Sequence, residues 1–197
     1  AYVREHAAWA LSQGLPRLDA VGRLIAMVAA GGFSAMLAQR TLEGWSVPSG
    51  EVLAVALEAA LVSTDDPAAR ARLVETLGLV RAPLATRPLL AIARDEAEDD
   101  AVREAAIAAL GQRPGHPGVE STLDELMAGA GRLASVARLA LLDLVPPRPD
   151  AADAPRTIAQ LFLHADMDAQ LATAGAGDNG GIATLLVRLG DALVADE

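Results

Sequence analysis

The stretch Asp100-Ala101-Val102-Arg103-Glu104-Ala105-Ala106-Ile107-Ala108-Ala109-Leu110-Gly111 decides the fold. Val102, Ala105, Ala106, Ala109 and Leu110 recur at spacings of three and four, which places them on one stripe of an α-helix. The pattern itself recurs. Ala69-Arg70 with Leu77 stands 33 residues earlier, and Val3-Arg4 with Leu11 a further 66 residues before that, two periods of the same length. The missing copy lies between them at residues 33–43, where Ala38 and Leu42 match Ala7 and Leu11 at an offset of 31. A fifth copy, residues 133–144, sets Ala134, Leu139 and Leu142 opposite Val102, Ile107 and Leu110 at an offset of 32. Such near-constant periods mark a stack of structural repeats in which each unit buries its apolar face against the next.

Each repeat reads as two antiparallel helices. The five copies supply the second helix, and residues 17–30, 50–62, 86–94 and 117–128 supply the first. In residues 17–30 the stripe runs through Leu18, Val21, Leu24, Ile25 and Val28. Helix punctuation recurs in phase: Asp66 caps ahead of Pro67, Asp99 or Asp100 caps the helix carrying Arg103, and Gly44, Gly78 and Gly111 are read as helix ends. Trp9 and Trp45 are expected in the core or in inter-repeat packing.

Composition agrees with closely packed helices. Of 197 residues, 52% are apolar but only 3% aromatic, and alanine supplies much of the apolar fraction. All 16 basic residues are Arg, a coding bias with little chemical content. The net charge of −10 argues against a general nucleic-acid binder, since a polyanion requires a basic surface. Without cysteine there is no disulfide and no thiolate metal site. The longest uncharged stretch, 24–39 apart from its embedded Ser34 and Gln39 largely apolar, is too short for a membrane span and is broken by Gly31-Gly32. No secretory signal is read, so the expected location is cytoplasmic, and the opening inside an amphipathic helix reads as the start of an excised piece of a longer protein.

The stretch 100–111 resembles the second helix of a HEAT-like repeat, a type also found in the phycobilisome-lyase group, and Tyr2-Val3-Arg4 through Leu11 is a further match. The resemblance covers about three quarters of the chain. It implies that an Asp before the helix and an Arg within it form a structural polar ladder between repeats. On this chain those roles fall on Asp66 with Arg70, on Asp100 with Arg103, and on Arg4. The ladder should be interrupted at Ala35 and Ser135, which stand where Arg is expected.

After Leu144 the texture changes. Residues 146–156 hold four prolines at 146, 147, 149 and 155 and read as a linker. Residues 157–163 are the best strand candidate, followed by a glycine-rich loop and an apolar helix through Ile182, Leu185, Leu186, Leu189 and Leu193. Glycines in such a loop let the backbone approach an anion, and a helix start offers free N–H groups. The order strand, loop, Gly180-Gly181-Ile182 and helix is similar to the opening of GT-B retaining glycosyltransferases. That resemblance implies a phosphate or substrate loop at Gly177, Asn179, Gly180, Gly181 and Ile182, and a nucleotide sugar bound by an intact parent.

Other chemistry finds little support. His6, His116 and His164 lie in three different elements without ligand spacing, and no nucleophile elbow, Walker loop or zinc-protease motif occurs. The reading is therefore all-α: a HEAT-like α-solenoid over residues 1–145, truncated at its start, a linker over 146–156, and the β-loop-α opening of a Rossmann-like domain over 157–197. The expected function is protein-interaction scaffolding, as the N-terminal part of a glycosyltransferase or as a stand-alone regulatory module. The expected partner is another protein, with no nucleic acid, no membrane span, and no catalytic residue, metal or cofactor in this chain. A lone strand leaves its backbone groups unpaired, so 157–163 is expected to lie against the solenoid, to become disordered, or to self-associate with the same strand of a second molecule.

Overall fold

A computed structural model describes residues 2–145 and 180–195. The chain divides into two compact units, Ala1–Pro146 and Pro147–Glu197. Among the described residues there are ten α-helices and no strand: α1 (Tyr2–Ser12), α2 (Val21–Ala30), α3 (Gly32–Gly44), α4 (Ser46–Val62), α5 (Pro67–Leu79), α6 (Thr86–Arg94), α7 (Asp100–Leu110), α8 (Val119–Met127), α9 (Gly131–Leu144) and α10 (Gly180–Ala195). Short 3-10 turns at Leu18–Ala20 and Pro83–Ala85 lead into α2 and α6. No single described helix is long and apolar enough to cross a membrane.

In the first unit the odd-numbered helices are the five copies of the motif, and each of α2, α4, α6 and α8 is the first helix of a pair. Pairs α2/α3, α4/α5, α6/α7 and α8/α9 pack internally, and α1 on α3, α5 on α7 and α7 on α9 build a second-helix layer. One continuous core results, with Leu24, Leu42, Leu53, Leu57, Leu73, Leu77, Leu89, Ile107, Leu110 and Leu123 fully buried. The start signals follow from side-chain chemistry. Asp66 accepts a hydrogen bond from the Ala69 amide at 2.8 Å ahead of Pro67, and Asp99 accepts from the Ala101 amide at 2.9 Å, each satisfying an otherwise orphan helix donor. Asp66 and Asp99 stand one 33-residue period apart, so the capping role belongs to Asp99 and not to Asp100.

Gly111 ends α7 as expected, and it shares with Gly78 a second role. Neither has positive φ, and Gly78 lies inside α5. A Cβ on Gly78 would stand 2.7 Å from the Ala109 Cβ, and one on Gly111 would stand 2.9 Å from the Ala140 Cα. The two glycines are thus the points where neighbouring second helices cross most closely. The equivalent Gly44 has nothing within 4 Å of such a Cβ. Its open surroundings mark an irregular joint: α3 and α4 bend by 119° at Trp45, and toward the preceding repeat α5 lies more against α2 than against α3.

Three expectations are corrected. The fifth copy is displaced by one residue. Ala109 and Ala140 occupy equivalent crossings 31 residues apart, so α9 buries Ala134, Ala137 and Ala140 while Leu139 and Leu142 are exposed. Trp9 is 59% exposed, whereas Trp45 is buried as expected. Asp66 and Asp100 are not the ladder partners of Arg70 and Arg103 in the sense implied, as described below. The strand expected at 157–163, the linker over 146–156 and loop residues Gly177 and Asn179 lie outside the described residues. So does the side chain of Arg4. Helix α10 begins at Gly180, which puts Gly180, Gly181 and Ile182 in its first turn.

Candidate interaction surface

Each junction between repeats is tied by its own polar link. Between α5 and α7, Arg70 donates through Nε to Glu98 Oε1 at 3.1 Å and through Nη2 to Oε2, and its Nη1 donates to the carbonyls of Leu61 and Thr64 at 2.6 and 2.9 Å. This single guanidinium closes the C-terminal end of α4 and reaches the loop before α7. The Arg70 hydrogen bonds, foremost among the causes, hold the Glu98 carboxyl below its ordinary pKa. Arg103, one period on, donates only to the Ala93 carbonyl at 3.4 Å and faces the exposed Asp100 at 3.8 Å within its own helix. The junction of α7 and α9 is instead closed by Arg132 Nε on Glu104 at 2.6 Å. In the other direction along the layer, the Gln39 amide donates to Thr76 Oγ1 at 3.2 Å, and Thr41 donates to the Ala8 carbonyl at 3.0 Å.

Two arginines outside the repeat motif close helix ends from a distance. Arg72 on α5 donates to the carbonyls of Val28 and Ala29 at the end of α2, lying against Gly31, whose φ of 81° leaves no room for a side chain there. Arg113, only 4% exposed, donates to the carbonyls of Leu77, Gly78, Val80 and Ala82 at 2.6 to 3.3 Å. Among the described residues it has no carboxylate partner. Burial, and after it the nearby Arg81 cation, lower its pKa from the ordinary value, and the four carbonyls take the place of a counter-ion. Neither residue carries a sequence signal, because the acceptors are backbone atoms common to every sequence.

With the links inside the stack accounted for, the exposed apolar residues form the candidate site. Tyr2, Trp9, Phe33 and Met36 are all more than half exposed. They belong to α1 and α3, which pack side by side, and the offset of 31 makes Tyr2 equivalent to Phe33 and Glu5 to Met36. All four therefore look outward from the second-helix layer. The equivalent positions further along are Ala68, Ala71 and Glu75 on α5, and Ala101, Glu104 and Ala108 on α7. Aromatic character is thus concentrated at one end of the layer, while α9 at the other end exposes Leu139 and Leu142. Scattered exposed apolar residues are ordinary, but adjacent aromatic side chains on one face are a mark of protein contact. Tyr2 and His6 already pack ring to ring, with centroids 4.0 Å apart. Among the described residues no group of His, Cys, Asp or Glu side chains is placed to hold a metal ion.

Residues 54–143 match the sequence model of the family described as HEAT repeats, which covers α5 to α8 and most of α4 and α9. No curated protein and no solved structure matches the chain. HEAT repeats commonly act as scaffolds for protein interaction, by stacking helix pairs into a continuous surface.

Proposed function

We propose that this chain is a protein-interaction scaffold that engages its partner through the outward face of α1 and α3. The observation that carries the reading is the cluster Tyr2, Trp9, Phe33 and Met36, which puts three exposed aromatic side chains on two adjacent helices of the layer. Large aromatic side chains contribute most of the energy at interfaces, and here four apolar anchors are held on two packed helices with little ordering left to do. Affinity capture from an extract of the source cells, comparing the intact chain with the double variant Trp9→Glu, Phe33→Glu, tests it. Proteins retained by the wild type and lost by the variant, with far-UV circular dichroism unchanged, support the reading. An identical set of captured proteins contradicts it.

A finer reading places this scaffold at the N-terminal side of a nucleotide-sugar-dependent glycosyltransferase. What supports it is the sequence order of Gly180-Gly181-Ile182 and the leucines that follow, with α10 starting at Gly180. Exposed backbone donors at a helix start are suited to an anionic diphosphate. On this reading the catalytic apparatus belongs to an intact parent. Calorimetric titration of the chain with a nucleotide sugar should give no tight, saturable binding, because one loop and helix provide no base pocket and no closing domain.

A further inference from the structure

The pair α6/α7 has a described helix pair on either side, and the outer surface of its first helix carries a groove with a cationic lining. The groove holds about 450 Å³ between α6 and the loop before α8, with Thr86, Arg87, Leu90, Arg94, His116 and Pro117 in its wall. Arg87, Leu90 and Arg94 stand three and four residues apart on one stripe of α6, which sets a guanidinium at either end and a half-buried apolar side chain between them. No carboxylate stands among the described lining residues. Across His116 lies a smaller pocket bordered by Arg81, the buried Arg113 and Glu43. Arg81 is exposed and makes no ion pair among the described residues. In a chain of net charge −10 this is a local excess of positive charge, and it favours an anionic partner.

Both guanidinium groups keep donors to spare. Arg87 meets Glu58 of α4 at 3.5 Å and Arg94 meets Glu125 of α8 at 3.6 Å, all four side chains being exposed, and ion pairs of that kind contribute little. A carboxylate seated bidentately on either arginine would add two short hydrogen bonds to one long contact. The wall gives an independent sign of a missing group: Thr86 is 4% exposed and its hydroxyl has no hydrogen-bond partner among the described residues. A buried hydroxyl left in that state is destabilising, and an acceptor seated in the groove would satisfy it. Spacing then sets the occupant. Arg87 and Arg94 are about 10 Å apart along the axis of α6. In a polyproline-II segment, residues i and i+3 return to one face about 9 Å apart. From this we propose that the groove binds an acidic, extended segment of a partner protein, with carboxylates at i and i+3 on Arg87 and Arg94 and an apolar residue between them against Leu90 and Pro117. This rests on the interaction-scaffold reading and adds a second site with a defined partner chemistry, away from the aromatic face of α1 and α3.

The test uses fluorescence anisotropy of labelled synthetic peptides titrated with the whole chain. The first is Gly-Glu-Pro-Leu-Glu-Pro-Gly, the second has Gln for both Glu, and the third, Gly-Pro-Glu-Glu-Leu-Pro-Gly, has the composition of the first with its acids adjacent. The net charge of the chain repels an acidic peptide, so saturable binding of the first reports a local attraction. It should bind saturably, and the other two more weakly by at least about tenfold. The double variant Arg87→Gln, Arg94→Gln should weaken the first peptide by at least about tenfold, and so should Ala91→Glu, which adds a carboxylate to the lining. All three positions are exposed and the new residues are helix-compatible, so circular dichroism should be unchanged. Arg40→Gln, Arg138→Gln removes the same charge from exposed positions on α3 and α9 and should bind as the wild type does. Absence of saturable binding, equal binding of the two acid spacings, insensitivity to the groove substitutions, or an equal loss in the Arg40 and Arg138 variant overturns the proposal. The variant Trp9→Glu, Phe33→Glu should bind the first peptide normally, so the two readings fail separately.

Discussion

At the scale of single residues, the arginines carry most of what the repeat motif does not. Arg113 holds four carbonyls at the end of α5 and in the turn that follows, so Arg113→Ala leaves buried acceptors without a donor. We expect a loss of about 2–4 kcal/mol in equilibrium denaturation. Arg113→Lys should recover little of it, because one ammonium cannot reach carbonyls spread along a turn as a planar fork does. Arg70→Ala should cost about 2 kcal/mol, and Arg103→Ala clearly less, since Arg70 carries two carbonyls and a bidentate carboxylate while Arg103 has only long contacts. The recurrence of Arg70 and Arg103 is visible in the sequence. Their different partners are not, because Glu98 lies in a loop whose reach depends on how the next helix packs. Arg113 is invisible for a simpler reason: nothing in its neighbours' side chains distinguishes a carbonyl that will need capping.

Glu98 also makes the junction sensitive to pH. Its pKa in the fold is lowered from 4.5, first by the Arg70 hydrogen bonds. A depressed carboxyl stabilises the fold above its unfolded pKa, and that contribution is lost as pH falls through the folded value. Denaturation midpoints measured at pH 7 and pH 3 should therefore fall further for the wild type than for Glu98→Gln. Equal falls would mean that Glu98 is no better held in the fold than in the unfolded chain.

At the scale of elements, three glycines one period apart behave differently. Gly111→Ala forces a Cβ against the backbone of Ala140, and backbone cannot step aside as a flexible side chain can. It should destabilise by about 1–3 kcal/mol. Gly44→Ala meets open space on an exposed helix turn and should be neutral or stabilising by up to about 1 kcal/mol. Thermal denaturation of the two variants side by side checks the assignment of the crossings, and similar effects would remove it. Helix existence and order were legible from periodicity and caps: residues 86–94 of the sequence reading coincide with α6, and the expected start at residue 50 coincides with the regular part of α4 beyond the non-helical Ser49. The phase of α9 was not legible, because Ala134, Ala137 and Ala140 and the leucines beside them offer two apolar stripes, and only the contact with Gly111 chooses between them.

At the scale of the whole molecule, the first unit is a layered stack of helix pairs whose described second helices are joined by polar links. Trp9 misled the sequence reading because its position faces outward in the repeat: its equivalents Glu75 on α5 and Ala108 on α7 are exposed as well. The measurement that tests this account most directly is amide hydrogen exchange of the whole chain, wild type beside Gly111→Ala. In the wild type α5 and α7 should exchange slowest, because local opening follows the packing each helix has. In Gly111→Ala exchange should quicken in α7 and α9 and stay unchanged in α2 and α3. If α7 exchanges as fast as α1 in the wild type, or if the change falls on other helices, the layer of second helices crossing at Gly111 is contradicted.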